Sequence, residues 1–127
     1  MEYNSAIMKH LAIIAILFLA ACGAKVQPGE VGDSVTTAIA LADGAVELNP
    51  VISWAGDAAP IVSIVGKQVV KAALIESGYE AETVNAISNS LSWGATCNNL
   101  VIIGGGTGGL GLAAGLICAA VTWEPIT

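Results

Sequence analysis

Apolar positions in this chain occur as unbroken runs near its two ends and as helix-spaced positions between them. The first run, Leu11 to Leu19, follows the short basic patch Met8-Lys9-His10 and is nine residues long. That length suits the hydrophobic region of a secretory signal better than a transmembrane span. Further on, Val35, Ala38, Ile39, Ala42, Val46 and Leu48 predict a helix from the cap candidates Asp33-Ser34 to about Leu48, ended by Asn49-Pro50. After the short apolar stretch 51–55, which contains Trp54, Asp57 is an N-cap candidate with Pro60 in the first turn. This second helix continues through Ile61, Ile64, Val65, Val69 and Ala72 to Ile75, and Gly78 stops it. A third helix is predicted from Glu80 to about Trp93, with Val84, Ile87 and Leu91 on one face. The middle of the chain therefore predicts a small helical hairpin or three-helix cluster.

From Thr83 to Trp123 no residue carries a charge, and Leu100 to Thr122 is almost wholly apolar or glycine. As a single helix this stretch meets the roughly 20-residue requirement for crossing a bilayer. Gly104/Gly108, Gly105/Gly109 and Gly111/Gly115 are each four apart, a spacing that lets helix backbones approach closely in lipid. Trp93 and Trp123 flank the run, either as interfacial aromatics or as two large residues packed in a core. Cys97 and Cys118 are 21 positions apart, and the midpoint falls at Thr107-Gly108, inside Gly104-Gly105-Gly106-Thr107-Gly108-Gly109. On one continuous helix the thiols would lie about 30 Å apart, beyond disulfide reach, whereas a hairpin turning at the glycines would bring them together. Three layouts stay open: a single span, a disulfide-closed membrane hairpin, and a self-packed soluble hairpin.

The same glycines imitate a different motif. Leu100-Val101-Ile102-Ile103 followed by Gly104-x-Gly106-x-x-Gly109 and Leu110 to Ala120 resembles the strand, glycine turn and helix of dinucleotide-binding folds, with Glu124 in the place of the ribose-binding acid. The acid follows Gly109 by only 15 residues, and no upstream strands are present to complete a parallel sheet. No nucleotide site is expected.

Leu19-Ala20-Ala21-Cys22 resembles the lipobox of bacterial lipoproteins: a branched apolar residue, two small residues, then cysteine. The resemblance implies diacylation of the Cys22 thiol, typically with palmitate, and cleavage before it by the lipoprotein signal peptidase. Two or three acyl chains anchor stably where one is marginal. Gly23, in place of an aspartate, implies the periplasmic face of the outer membrane rather than the inner membrane. Glu2 suits a signal's basic leader poorly, and the start of translation stays open between Met1 and Met8.

Composition narrows the chemistry. The chain has 127 residues, 55% hydrophobic and 11% charged, with a net charge of −6 and four Lys as its only Lys or Arg residues. That balance offers no footprint for a nucleic acid backbone. Cleavage before Cys22 would remove His10 and Phe18, leaving no histidine for a catalytic triad and few ligands for zinc. The carboxylates Glu30, Asp33, Asp43, Glu47, Asp57, Glu76, Glu80, Glu82 and Glu124 are expected at caps and on solvated faces, as are Lys67 and Lys71, one turn apart. No enzyme, cofactor, metal site or small-molecule substrate is expected.

The reading is a mainly α protein: a lipoprotein signal peptide at 1–21, a flexible tether at 22–32, a small helical periplasmic region at 33–96 and a glycine-rich hydrophobic membrane helix or helical hairpin at 97–127. Its sites are Cys22 for lipidation, Cys97 and Cys118 for a disulfide, and Gly104, Gly105, Gly106, Gly108, Gly109, Gly111 and Gly115 for helix contact or turning. Expected partners are membrane lipid and either a second copy or another envelope protein. The leading expectation is a lipid-anchored envelope lipoprotein. A lipobox combined with a C-terminal membrane segment is also similar in layout to the unimolecular spanins of tailed phages, which bridge inner and outer membranes in lysis. A third reading is an exclusion lipoprotein that blocks superinfecting phage or a conjugating partner.

Overall fold

Five α-helices and one 3₁₀ turn make up the computed structural model, which describes residues 5–20, 22–45 and 53–123. They are α1 (Ser5–Ala20), α2 (Pro28–Ala42), the 3₁₀ turn Ser53–Ala58, α3 (Ala59–Glu76), α4 (Ala81–Ile103) and α5 (Gly108–Val121). The described residues contain no strand. Helix α4 is the hub: α2, α3 and α5 all pack on it, and α1 lies against α3. Gly29 abuts Asn89, Gly32 abuts Thr96, and Asn99 reaches Thr36 and Thr37, so α2 and α4 run parallel. Helices α3 and α5 run antiparallel to them, pairing Lys67 with Asp33 and Lys71 with Glu30 on one side, and Gly115 with Gly94 on the other.

Several boundaries differ from the sequence expectation. Helix α2 begins at Pro28 rather than Asp33, because proline suits the first helical turn and the Glu30 carboxylate accepts the Gln27 N–H at 2.9 Å. The tether expected over 22–32 is correspondingly shorter, with Ala24 fully buried. Helix α2 stops at Ala42; Val46 and Leu48 lie outside the described residues. Asp57 does not cap α3, since the 3₁₀ turn runs straight into the helix and Ala58, with helical dihedrals, takes that position. Helix α4 passes through Trp93 and the 96/97 boundary as far as Ile103. Leu100–Ile103 is therefore helix, not the strand of the dinucleotide resemblance.

Nor is 100–122 one continuous helix. The chain turns at Gly104–Thr107, where Gly105 has φ +85°, a conformation that side-chain-bearing residues rarely adopt. The Gly106 N–H closes the turn on the Val101 carbonyl at 2.8 Å, and the Thr107 hydroxyl caps α5 by accepting from the Leu110 N–H. The resulting hairpin joins Cys97 to Cys118 by a disulfide, with 6.4 Å between their Cα atoms. Along it the two backbones nearly touch. A Cβ on Gly94 would lie 2.8 Å from the Gly115 carbonyl oxygen, and one on Gly115 would lie 2.9 Å from that of Gly94.

This contact separates two outwardly similar substitutions. Gly94→Ala forces a methyl group against backbone and is expected to destabilise the fold by about 1–3 kcal/mol. Gly66→Ala in α3, where a Cβ meets nothing within 4 Å, is expected to stabilise it by about 0.5–1 kcal/mol through helix propensity. Thermal unfolding followed by circular dichroism, with the disulfide intact, checks both signs.

Candidate functional site: a polar interior under an apolar surface

Helix α2 presents Glu30 and Asp33 one turn apart, and the antiparallel α3 presents Lys67 and Lys71 one turn apart. Crossed in that order, the helices match both pairs. Glu30 has no exposed surface, and its Oε1 lies 2.8 Å from Lys71 Nζ, whose side chain is only 4% exposed. Lys71 also donates to the Lys25 carbonyl. The other carboxylate oxygen, Oε2, accepts from Gln68 Nε2 at 2.8 Å and from the Gln27 N–H, while the Ser88 hydroxyl of α4 donates to Oε1. A buried charge is tolerated only when paired and hydrogen-bonded in this way.

The Asp33–Lys67 ion pair, one turn further along, is less deeply buried. Asn99 Nδ2 of α4 bonds Asp33 Oδ1 at 3.2 Å and the hydroxyls of Thr36 and Thr37 at 3.0 Å. At the opposite end of α4, Asn85 ties down the segment that follows Cys22. Its Nδ2 donates to the Gly23 carbonyl at 2.9 Å, and its Oδ1 accepts from the Lys25 N–H at 3.1 Å. Between these, Asn89 Oδ1 takes the Gly29 N–H at 2.9 Å. Three asparagines of one helix thus hold the whole of 23–37.

These findings correct the expected solvated faces for Glu30, Asp33, Lys67 and Lys71. They also turn part of the predicted apolar stripes outward, while Ala72 and Val84 stay buried as expected. Val35 and Ile39 of α2 are 53% and 46% exposed, and Leu91 of α4 is 65% exposed, while Gln68, Ser90, Ser92 and Thr96 are buried. Helix α5 turns Leu112, Leu116 and Ile117 outward. The expected glycine positions divide by role. Gly111 and Gly115 face α4; Gly104, Gly105 and Gly106 form the turn; Gly108 and Gly109 lie exposed at the start of α5. Cys22 is a free thiol beside Gly23, which packs against Ala81 and Ile75 at the α3–α4 end. Ala21, in the stretch expected to be a lipobox, lies outside the described residues.

The arrangement locks helices together. Ser88 and Lys71 invite comparison with a nucleophile and its base, yet Lys71 directs its protons to Glu30 and the Lys25 carbonyl, and Ser88 gives its own to Glu30. Lys71 is therefore not placed as the base for Ser88, whose hydroxyl proton is held by the Glu30 carboxylate. An open groove of about 560 Å³ between α3 and α4 is walled mostly by apolar surface from Val70, Leu74, Ile87 and Leu91, with Ser63, Lys67, Lys71, Tyr79, Thr83 and Ser88 also in its lining. Among the described residues no group of histidine, cysteine and carboxylate side chains could hold a metal ion. Comparison with protein families, curated proteins and solved structures gives no match.

The ion pair makes a sharp prediction. Lys71→Met leaves Glu30 charged and unpaired and is expected to cost about 3–5 kcal/mol, whereas Glu30→Gln combined with Lys71→Met recovers most of that loss. A double-mutant cycle on thermal unfolding measures the difference.

Proposed function

We propose that the chain is a non-enzymatic, lipid-anchored cell-envelope lipoprotein of bacterial or phage origin. In this reading Cys22 carries the lipid, and the α4–α5 hairpin inserts into a membrane and associates with further copies or with another envelope protein. The observation that carries the reading is the hairpin's surface: its backbones are clamped by glycine contact and a disulfide, while Leu112, Leu116, Ile117 and Val121 point away from the protein. Close glycine packing with large apolar side chains turned outward is how helices associate where the surroundings are lipid. Residues 1–21 serve as the signal peptide, and Gly23 favours the periplasmic face of the outer membrane.

The spanin-like alternative needs a chain that crosses from one membrane to the other. The hairpin favours the anchored reading instead, because Ser90 meets Ala119 and Gly23 meets Ala81, which brings the end of α5 back toward the end that holds Cys22.

Metabolic labelling with an alkyne palmitate in a bacterial host tests the anchor. The parent chain is expected to incorporate label and to lose residues 1–21, and Cys22→Ser to remain unlabelled at precursor mass. Label persisting in Cys22→Ser, or absent from the parent, would contradict the proposal. Reporters fused after Thr127 are expected to be active on the periplasmic side, and cytoplasmic activity would favour the spanin.

A further inference from the structure

We infer that α2 and α3 enter the bilayer together with the hairpin, so that the whole α2–α5 bundle is a single membrane unit with both ion pairs enclosed between its helices. The inference rests on the membrane reading above and extends it to the half of the protein that sequence assigns to water.

The first argument is partition. In water a fold of this size places its large aliphatic side chains inside and its charges outside. Here Glu30, Gln68 and Lys71 are within 3% of complete burial, and the outward residues include Val35 on α2, Val70 on α3, Leu91 on α4 and Leu116 on α5. The apolar surface is carried by all four helices. A second copy of the chain would cover one side of such a bundle, whereas lipid covers it all round.

Charge is the second argument. Along α2 the only charges are Glu30 and Asp33, and along α3, before its terminal Glu76, they are Lys67 and Lys71. These four satisfy one another. Helix α4 carries none after Glu82, and α5 carries none. Among the described residues, the remaining charges of this region gather at the ends: Asp43 and Asp57 at one, Lys25, Glu76, Glu80 and Glu82 at the other. An electrically neutral belt between two charged rims complements a bilayer, and ionisable groups inside a membrane face the bundle interior and pair there.

Dimensions agree. The 18 residues of α3 and 23 of α4 span about 27 and 35 Å at 1.5 Å per residue, against a hydrocarbon thickness of about 30 Å. The 15 of α2 and 14 of α5 span about 23 and 21 Å, so these two helices enter the bilayer without crossing all of it. The stretch Ser53–Glu76 is long and apolar enough to cross by itself. Exposed aromatics mark both rims, with Trp54 at one and Tyr79 and Trp123 at the other. Cys22 stands at the Tyr79 rim, which is where an acyl anchor must sit if lipid and bundle share one membrane.

The test uses the full chain with its disulfide intact, reconstituted in vesicles of phosphatidylethanolamine and phosphatidylglycerol. Nitroxide labels on Val35→Cys, Val70→Cys, Leu116→Cys and Glu82→Cys, all exposed positions, are read by collision with oxygen and with a water-soluble nickel chelate. The oxygen-to-nickel ratio is expected to be several-fold higher at 35, 70 and 116 than at 82. Nickel access at 35 and 70 with lipid contact at 116 would overturn the inference and leave the hairpin reading standing. Nickel access at all three would overturn both. Shielding of 35 and 70 from both probes would mean that a second copy or another protein covers the bundle, and would overturn the inference. Label uptake by the parent chain reports separately whether Cys22 is free.

Discussion

A carboxylate and an ammonium without access to water must be held against each other, and the Glu30–Lys71 pair imposes that requirement on three helices at once. Glu30 belongs to α2, Lys71 to α3 and the Ser88 that completes the carboxylate's shell to α4. Misalignment of any one of them by a turn would leave a buried charge uncompensated, at a cost that rivals the whole stability of a small domain. The pair therefore sets register more than it adds stability. Asp33–Lys67, one turn along, repeats the constraint and fixes α2 and α3 as antiparallel.

Glycine supplies what the polar pairs cannot. Asparagine side chains are short, so the helices joined by their bonds must come close. Gly29 and Gly32 let α2 settle on Asn89 and Thr96 of α4, and Gly94, Gly111 and Gly115 do the same between α4 and α5. Closeness in turn brings Cys97 to Cys118 and lets Ser90 bond the Ala119 carbonyl. Small residues and polar bonds thus occupy the space that aliphatic packing fills in a water-soluble bundle. Apolar side chains displaced from the interior become the surface, and the membrane proposal follows from that displacement.

Much of this was legible in local sequence. The helices are visible from proline, glycine and apolar spacing because such signals act within one turn. The cysteine spacing about a glycine centre contained the hairpin as one of three layouts, since its geometry depends only on rise per residue and disulfide reach. Leu19-Ala20-Ala21-Cys22 carries the lipoprotein proposal on its own residues and needs no fold.

Which face of each helix turns inward was decided only by the tertiary structure. A helix with an apolar stripe and a polar stripe can bury either, and Val35 and Ile39 look like core until Glu30 and Asp33 on the same helix find partners. Those partners lie more than thirty residues away, at Lys67 and Lys71. Their matched spacing, acids one turn apart and lysines one turn apart, was present in the sequence, but it becomes information only once α2 and α3 are known to cross antiparallel. Periodicity identifies a helix and its two faces; the choice between those faces depends on contacts distant in sequence.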